Sequence, residues 1–152
     1  MVSLFQTGPI PDGYRDLTLP EVDDRFFSYR KHLRYAVMLY LFTTVEARLR
    51  MLADDVADRR QKPLIGRRFR KLRRERGSKI RLSEDVLDTW AAAYPETAPS
   101  VRRFKGTLPL RDWLAHGRYW NPMLSRHDYE VMDVFDIASD LLDAIARAGT
   151  VP

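Results

Sequence analysis

Between Glu21 and Lys62 the chain carries neither glycine nor proline, and that interval decides the fold class. Apolar residues recur through it at steps of three and four, at Phe26, Phe27, Leu33, Val37, Leu41, Val45, Leu49 and Leu52. That spacing lays one stripe along an α-helix. Pro20 suits a first helical turn, where a missing N–H costs nothing, so one helix is expected from Pro20 to about Asp58. Residues 35–42 are apolar throughout, which predicts middle turns buried around their whole circumference. No segment alternates apolar and polar residues as a half-buried strand does, so the class is all-α.

Pro63 restarts the chain. Leu64, Ile65, Phe69 and Leu72 then form a helical stripe over 64–76, ended by Gly77 and Ser78. Ser83 is placed to cap a helix over 84–94, with Glu84 and Asp85 complementing the dipole in its first turn. Residues 95–106, broken by Pro95, Pro99 and Gly106, read as a loop. Thr107 or Leu108 with Pro109 opens a short helix that runs to about His116 and stops at Gly117. Asn121-Pro122 is a turn, and Ser125 with Asp128 has capping-box spacing before a closing amphipathic helix over 129–148. The expected organisation is an N-terminal arm over 1–19 and one domain over 20–152, a bundle of about five helices.

The charge is concentrated. Residues 59–81 hold 12 basic groups and one acid, Glu75, whereas the rest of the chain holds 14 basic groups and 20 acids. Arginines outnumber lysines 21 to 5, and the planar guanidinium matches phosphate better than an ammonium does. Arg67, Arg68, Arg70, Arg73 and Arg74 are therefore candidate contacts to an RNA backbone, made by counterion release. The competing reading is a solvated helix neutralised from within, by Asp128, Glu130, Asp133, Asp136, Asp140 and Asp143 near the C-terminus. The chain has no cysteine and only three histidines in no ligand spacing, so neither a metal nor another cofactor is expected. Its longest apolar run falls far short of the roughly 20 residues that span a bilayer, and Met1 to Gln6 lacks a basic leader. A cytoplasmic location without membrane attachment is expected.

The segment 108–121, Leu-Pro-Leu-Arg-Asp-Trp-Leu-Ala-His-Gly-Arg-Tyr-Trp-Asn, is the most unusual in the chain. Arg111 is followed by the polar Asp112, and His116 comes four residues after that. Arg25 and His32 have a related spacing, but Phe26 follows Arg25, and no helix-stopping glycine follows His32. Arg111, Asp112 and His116 bring a guanidinium, a carboxylate and an imidazole onto one short helix. At about 100° per residue, Leu110, Trp113, Leu114 and Gly117 share the apolar face, and Arg111, Asp112, Ala115 and His116 lie opposite. Asp112 is within reach of the imidazole one turn on, a contact that fixes the tautomer and favours the protonated ring. Arg111 and His116 sit about 140° apart, so one copy converges poorly on a phosphate. Two copies related by a two-fold axis build a joint cleft, and a homodimer is expected if the motif is catalytic.

This segment resembles the signature of the HEPN superfamily, an arginine and a polar residue followed by a histidine, and the resemblance makes Arg111, Asp112 and His116 candidate catalytic residues. The tail Ala-His-Gly-Arg-Tyr-Trp-Asn is similar to that of its Abi-like (abortive infection) branch. The resemblance implies a dimeric helical bundle and a metal-independent endoribonuclease, acting as a toxin or as a phage-defence or stress effector, with a cognate antitoxin protein as partner. His116 would take the 2′-hydroxyl proton, its unperturbed pKa of about 6.5 lying near working pH. Arg111 would stabilise the phosphoryl oxygens. Arg118, Tyr119 and Asn121 are candidate substrate contacts, with stacking of a base on the arginine and the ring. Some toxin branches carry a modifiable tyrosine two residues after the histidine; here Tyr119 is three residues after it. Two alternatives stand beside the nuclease: a non-catalytic RNA- or nucleotide-binding dimer, and a protein-interaction module of a toxin–antitoxin pair.

Overall fold

A computed structural model of the chain describes residues 12–59, 64–116 and 129–149. The first helix, α1, spans Leu19–Asp58, as the uninterrupted interval predicts. A cap fixes its start: the Glu21 carboxylate accepts the Thr18 backbone N–H at 2.8 Å and the Thr18 hydroxyl at 2.7 Å. The hydroxyl and then the backbone hydrogen bond hold the Glu21 carboxyl below its ordinary value.

The chain divides into two units, Met1–Tyr35 and Ala36–Pro152. In the first, a 3₁₀ turn at Asp12–Tyr14 returns onto the opening turns of α1. Tyr14 stacks on Phe26 with ring centroids 5.7 Å apart. Arg25 lies over the same tyrosine ring and donates to the Gly13 carbonyl at 2.8 Å. The described end of the expected arm is therefore folded back; residues 1–11 lie outside the described residues.

In the second unit α1 buries Met38, Phe42, Val45, Leu49, Ala53 and Val56, one stripe at steps of three and four. The expectation that residues 35–42 are covered all round is corrected here. Met38 is 1% exposed, but Val37 is 38% and Tyr40 71% exposed. Among the described residues of this unit, neighbouring helices cover one side of α1.

The second helix, α2, spans Leu64–Arg76 and buries Ile65, Gly66 and Phe69. A Cβ on Gly66 would lie 2.7 Å from the Val56 carbonyl oxygen, so the missing side chain is what lets the two backbones meet. Gly77, at φ 53°, ends the helix in the left-handed region. A π-helical turn at Leu82–Leu87 then leads into α3, Asp88–Ala93. Ser83 does not cap this segment, because the wide turn starts one residue earlier. Asp85 ties it instead, its Oδ2 accepting the Arg81 backbone N–H at 2.8 Å and Arg76 Nη1 at 3.3 Å. Trp90 of α3 is buried between Phe69 and Tyr94, with centroids 5.7 and 5.9 Å away.

The expected loop over 95–106 is also corrected. It holds a 3₁₀ turn at Pro95–Thr97 and a helix, α4, at Ala98–Lys105. Both prolines lie in first helical turns, where they begin structure and break nothing. Val101 and Phe104 are buried, Phe104 edge-on to Phe42 at 6.3 Å. The helix α5 follows at Leu108–Ala115 and α6 at Val131–Gly149. Asp133 caps α6 by accepting the Glu130 N–H at 2.8 Å, while Ser125 and Asp128 lie outside the described residues. All the anticipated helices are present, α4 is additional, and among the described residues there is no strand. Nor is any helix among them long and apolar enough to cross a membrane.

Candidate functional site

The motif occupies α5. Pro109 lies in its first turn, and Leu110 and Leu114 are buried and anchor it. Thr107, fully buried, sets the entry: its hydroxyl turns back to the Phe104 carbonyl at 2.7 Å, and its own carbonyl accepts the Arg111 N–H at 3.2 Å. Asp112 and Ala115 are exposed, as the helical spacing predicts. His116 is exposed too and stands just past the last helical residue, its backbone N–H bonded to the Asp112 carbonyl at 3.0 Å.

Arg111 is half-buried and held at both ends of its fork. Nη1 donates to Asp112 Oδ1 at 2.8 Å, and Nη2 to Glu46 Oε2 at 2.5 Å. Glu46 comes from α1, and its other oxygen accepts from Arg50 Nε at 3.2 Å and Nη2 at 2.8 Å. Arg50 Nη1 in turn reaches the Ile80 carbonyl at 3.1 Å. One chain of charge-assisted hydrogen bonds therefore joins α5, α1 and the segment between α2 and α3. Spacing alone left Arg111 with no role in packing; the fold makes it an inter-helix tie.

The electrostatics follow from that chain. Burial pushes the Glu46 carboxyl up, but Arg50 and Arg111 outweigh it, and the pKa lies below the ordinary glutamate value. The hydrogen bond to Asp112 raises Arg111; burial opposes it, and the charge and hydrogen bond of Glu46 add to it. The network borders a cleft of about 380 Å³ whose walls carry Arg50, Arg81 and Arg111 against Glu46, Glu84 and Asp112. Formally the cleft is neutral. Arg50 and Arg111 are each held by a carboxylate, whereas the Arg81 side chain has none among the described residues.

Glu46, Arg50, Arg81 and Glu84 were not among the candidate functional residues read from the sequence. Glu46 carried a signal: it is the only acid between Asp24 and Asp54, and it lies one turn after the buried Phe42. Arg118, Tyr119, Asn121 and His127 lie outside the described residues. His32 is on an exposed face of α1. Among the described residues, no three His, Asp or Glu side chains gather as metal ligands would.

The candidate arginines of α2 fall into two sets. Arg70 donates to the Ala57 carbonyl, and Arg73 to Asp58 Oδ1 at 2.6 Å, with Asp54 3.8 Å away. The hydrogen bond to Asp58 and its charge raise Arg73, and the Asp58 carboxyl is lowered in return. Arg67, Arg68 and Arg74 have no hydrogen-bond or ion-pair partner among the described residues. Among the described residues, the ion pairs given for α2 are to Asp54 and Asp58 at the end of α1, to Asp85 and to its own Glu75. Asp140 of α6 pairs with Arg103 of α4 at 2.8 Å. Compared with protein-family models, with curated proteins and with solved structures, the chain matches none.

Proposed function

We propose that the protein is a metal-independent endoribonuclease, a toxin or phage-defence or stress effector that acts as a homodimer in the cytoplasm under a cognate antitoxin. One observation carries this reading: Arg111 is tied by two carboxylates at the edge of a cleft, with His116 exposed just past the end of the same short helix. The role in defence comes with the resemblance of 108–121 to the HEPN signature. Neutral His116 removes the proton of an RNA 2′-hydroxyl, and that oxygen attacks the adjacent phosphorus. The bond from phosphorus to the 5′-oxygen breaks as His116 of a second copy, protonated, gives it a proton. The products are a 2′,3′-cyclic phosphate and a 5′-hydroxyl, and the phosphoryl charge is met by arginine.

A second copy is supported by the exposed side of α1 in the second unit. Val37, Tyr40, Thr44, Ala47 and Met51 recur at alternating steps of three and four, and all are exposed. That is the spacing of a coiled-coil seam. Arg50 lies only about 60° round α1 from Ala47, so the seam borders the motif cleft.

A second reading, a non-catalytic RNA- or nucleotide-binding dimer, is favoured by the balanced cleft and the two carboxylates on Arg111. Incubating the wild type and His116→Ala with RNA in excess EDTA separates the two. The nuclease cuts under chelation and leaves a cyclic phosphate. His116→Ala lowers the rate by roughly 10²–10⁴. Arg111→Lys is also poor, because a point charge cannot hold Glu46 and Asp112 together. Cleavage abolished by EDTA, or variants that cut like the wild type, would leave the binding reading in place.

A further inference from the structure

We infer that the outer face of α2 is a strip that tracks the sugar–phosphate backbone of single-stranded RNA, read by Arg67, Lys71 and Arg74. The inference deepens the ribonuclease reading, on which the choice of RNA rests. At about 100° per residue these three side chains fall within an arc of about 60°, and they extend about 10.5 Å along the axis. The buried residues Ile65, Gly66 and Phe69 occupy the opposite side of the helix. All three cations are exposed. Arg67 and Arg74 have no partner among the described residues, and Lys71 has only the exposed Glu75 at 3.9 Å.

Of the other arginines of the helix, Arg68 is half-buried without a partner among the described residues, and three are already committed. Arg70 holds the Ala57 carbonyl, Arg73 holds Asp58, and Arg76 holds Asp85. Those three side chains are bound to the body of the protein, whereas Arg67, Lys71 and Arg74 face solvent. An acidic protein partner would want an apolar or aromatic anchor among the charges. The strip offers none beyond Leu64 at the first residue of the helix, and two open guanidinium forks flanking an exposed ammonium suit phosphates.

The test uses the full chain carrying His116→Ala and a labelled 2′-O-methyl RNA 20-mer, which has no 2′-hydroxyl to react. Binding is titrated across salt for three proteins: the parent, Arg67→Gln/Lys71→Gln/Arg74→Gln, and Arg70→Gln/Arg73→Gln/Arg76→Gln. The outer triple is expected to weaken binding, to lower the slope of log K against log salt by about 2, and to melt like the parent. The inner triple is expected to lower the melting temperature. Arg74→Gln alone, with a slope loss of about 0.7, serves if the outer triple does not fold. An unchanged slope in the outer variants overturns the strip. So does a loss confined to polyglutamate binding, which would assign the face to an acidic protein. An unchanged slope beside His116-dependent cleavage removes the strip and leaves the nuclease. A reduced slope in a protein that never cleaves RNA does the reverse.

Discussion

Glu46 is the residue on which the motif's geometry depends. It bridges Arg111 and Arg50 with its two oxygens, from a position on α1 that is 65 residues away from the motif in sequence. Its lowered pKa gives a prediction with a definite sign. A carboxylate whose folded pKa lies below its unfolded value of 4.5 stabilises the fold above that value. The contribution is lost as pH falls through the lowered folded pKa. Glu46→Gln should therefore be less stable than the wild type near neutral pH, and the gap should close on acidification below about pH 4.5. Urea unfolding of both proteins at several pH values reads this directly. A gap independent of pH would mean that the network contributes through shape alone.

Among the elements, α2 is positioned by the absence of a side chain. Alanine is the better helix former by about 1 kcal/mol, so Gly66→Ala would stabilise an isolated α2. In the protein the new Cβ meets the Val56 carbonyl oxygen at 2.7 Å, a backbone atom that cannot step aside alone. Overpacking of this kind costs about 1–3 kcal/mol, and a net loss of stability is expected from the denaturation midpoint. A Gly66→Ala protein as stable as the wild type would show that α2 can rise off α1 at little cost. The prolines of α4 make a related point. Pro99 could not sit in a helix interior, but at the first turn its fixed φ favours the helix that follows.

For the whole molecule, the outcome to check is assembly. Tyr40 and Met51 are large, apolar and more than half exposed, and Thr44 and Ala47 between them are small enough for close approach of a second helix. Tyr40→Glu with Ala47→Glu should turn a dimer into a monomer in sedimentation velocity. The same variant should lose cleavage while its helical content and melting hold. A wild type that sediments as a monomer at tens of micromolar would remove the composite site. The dimer and the α2 strip are tested by different variants, so one can fail without the other.

By itself the sequence determined the helical class, the extent of α1, and the division of α5 into a buried side at Leu110 and Leu114 and an exposed side at Asp112 and Ala115. Those features follow from local periodicity and from where glycine and proline stand, and both are written in consecutive residues. The tertiary structure decided what the spacing left open. It put Glu46 against Arg111, paired Arg73 and Arg76 of α2 with acids from other segments, and left Tyr40 uncovered in a run that is apolar on all sides. The physical reason is common to all three. A helix's sequence says which faces are apolar or charged, but which of them meet a partner depends on how many neighbours pack against it and from which direction. That is a property of contacts between residues far apart in the chain, and no local pattern encodes it.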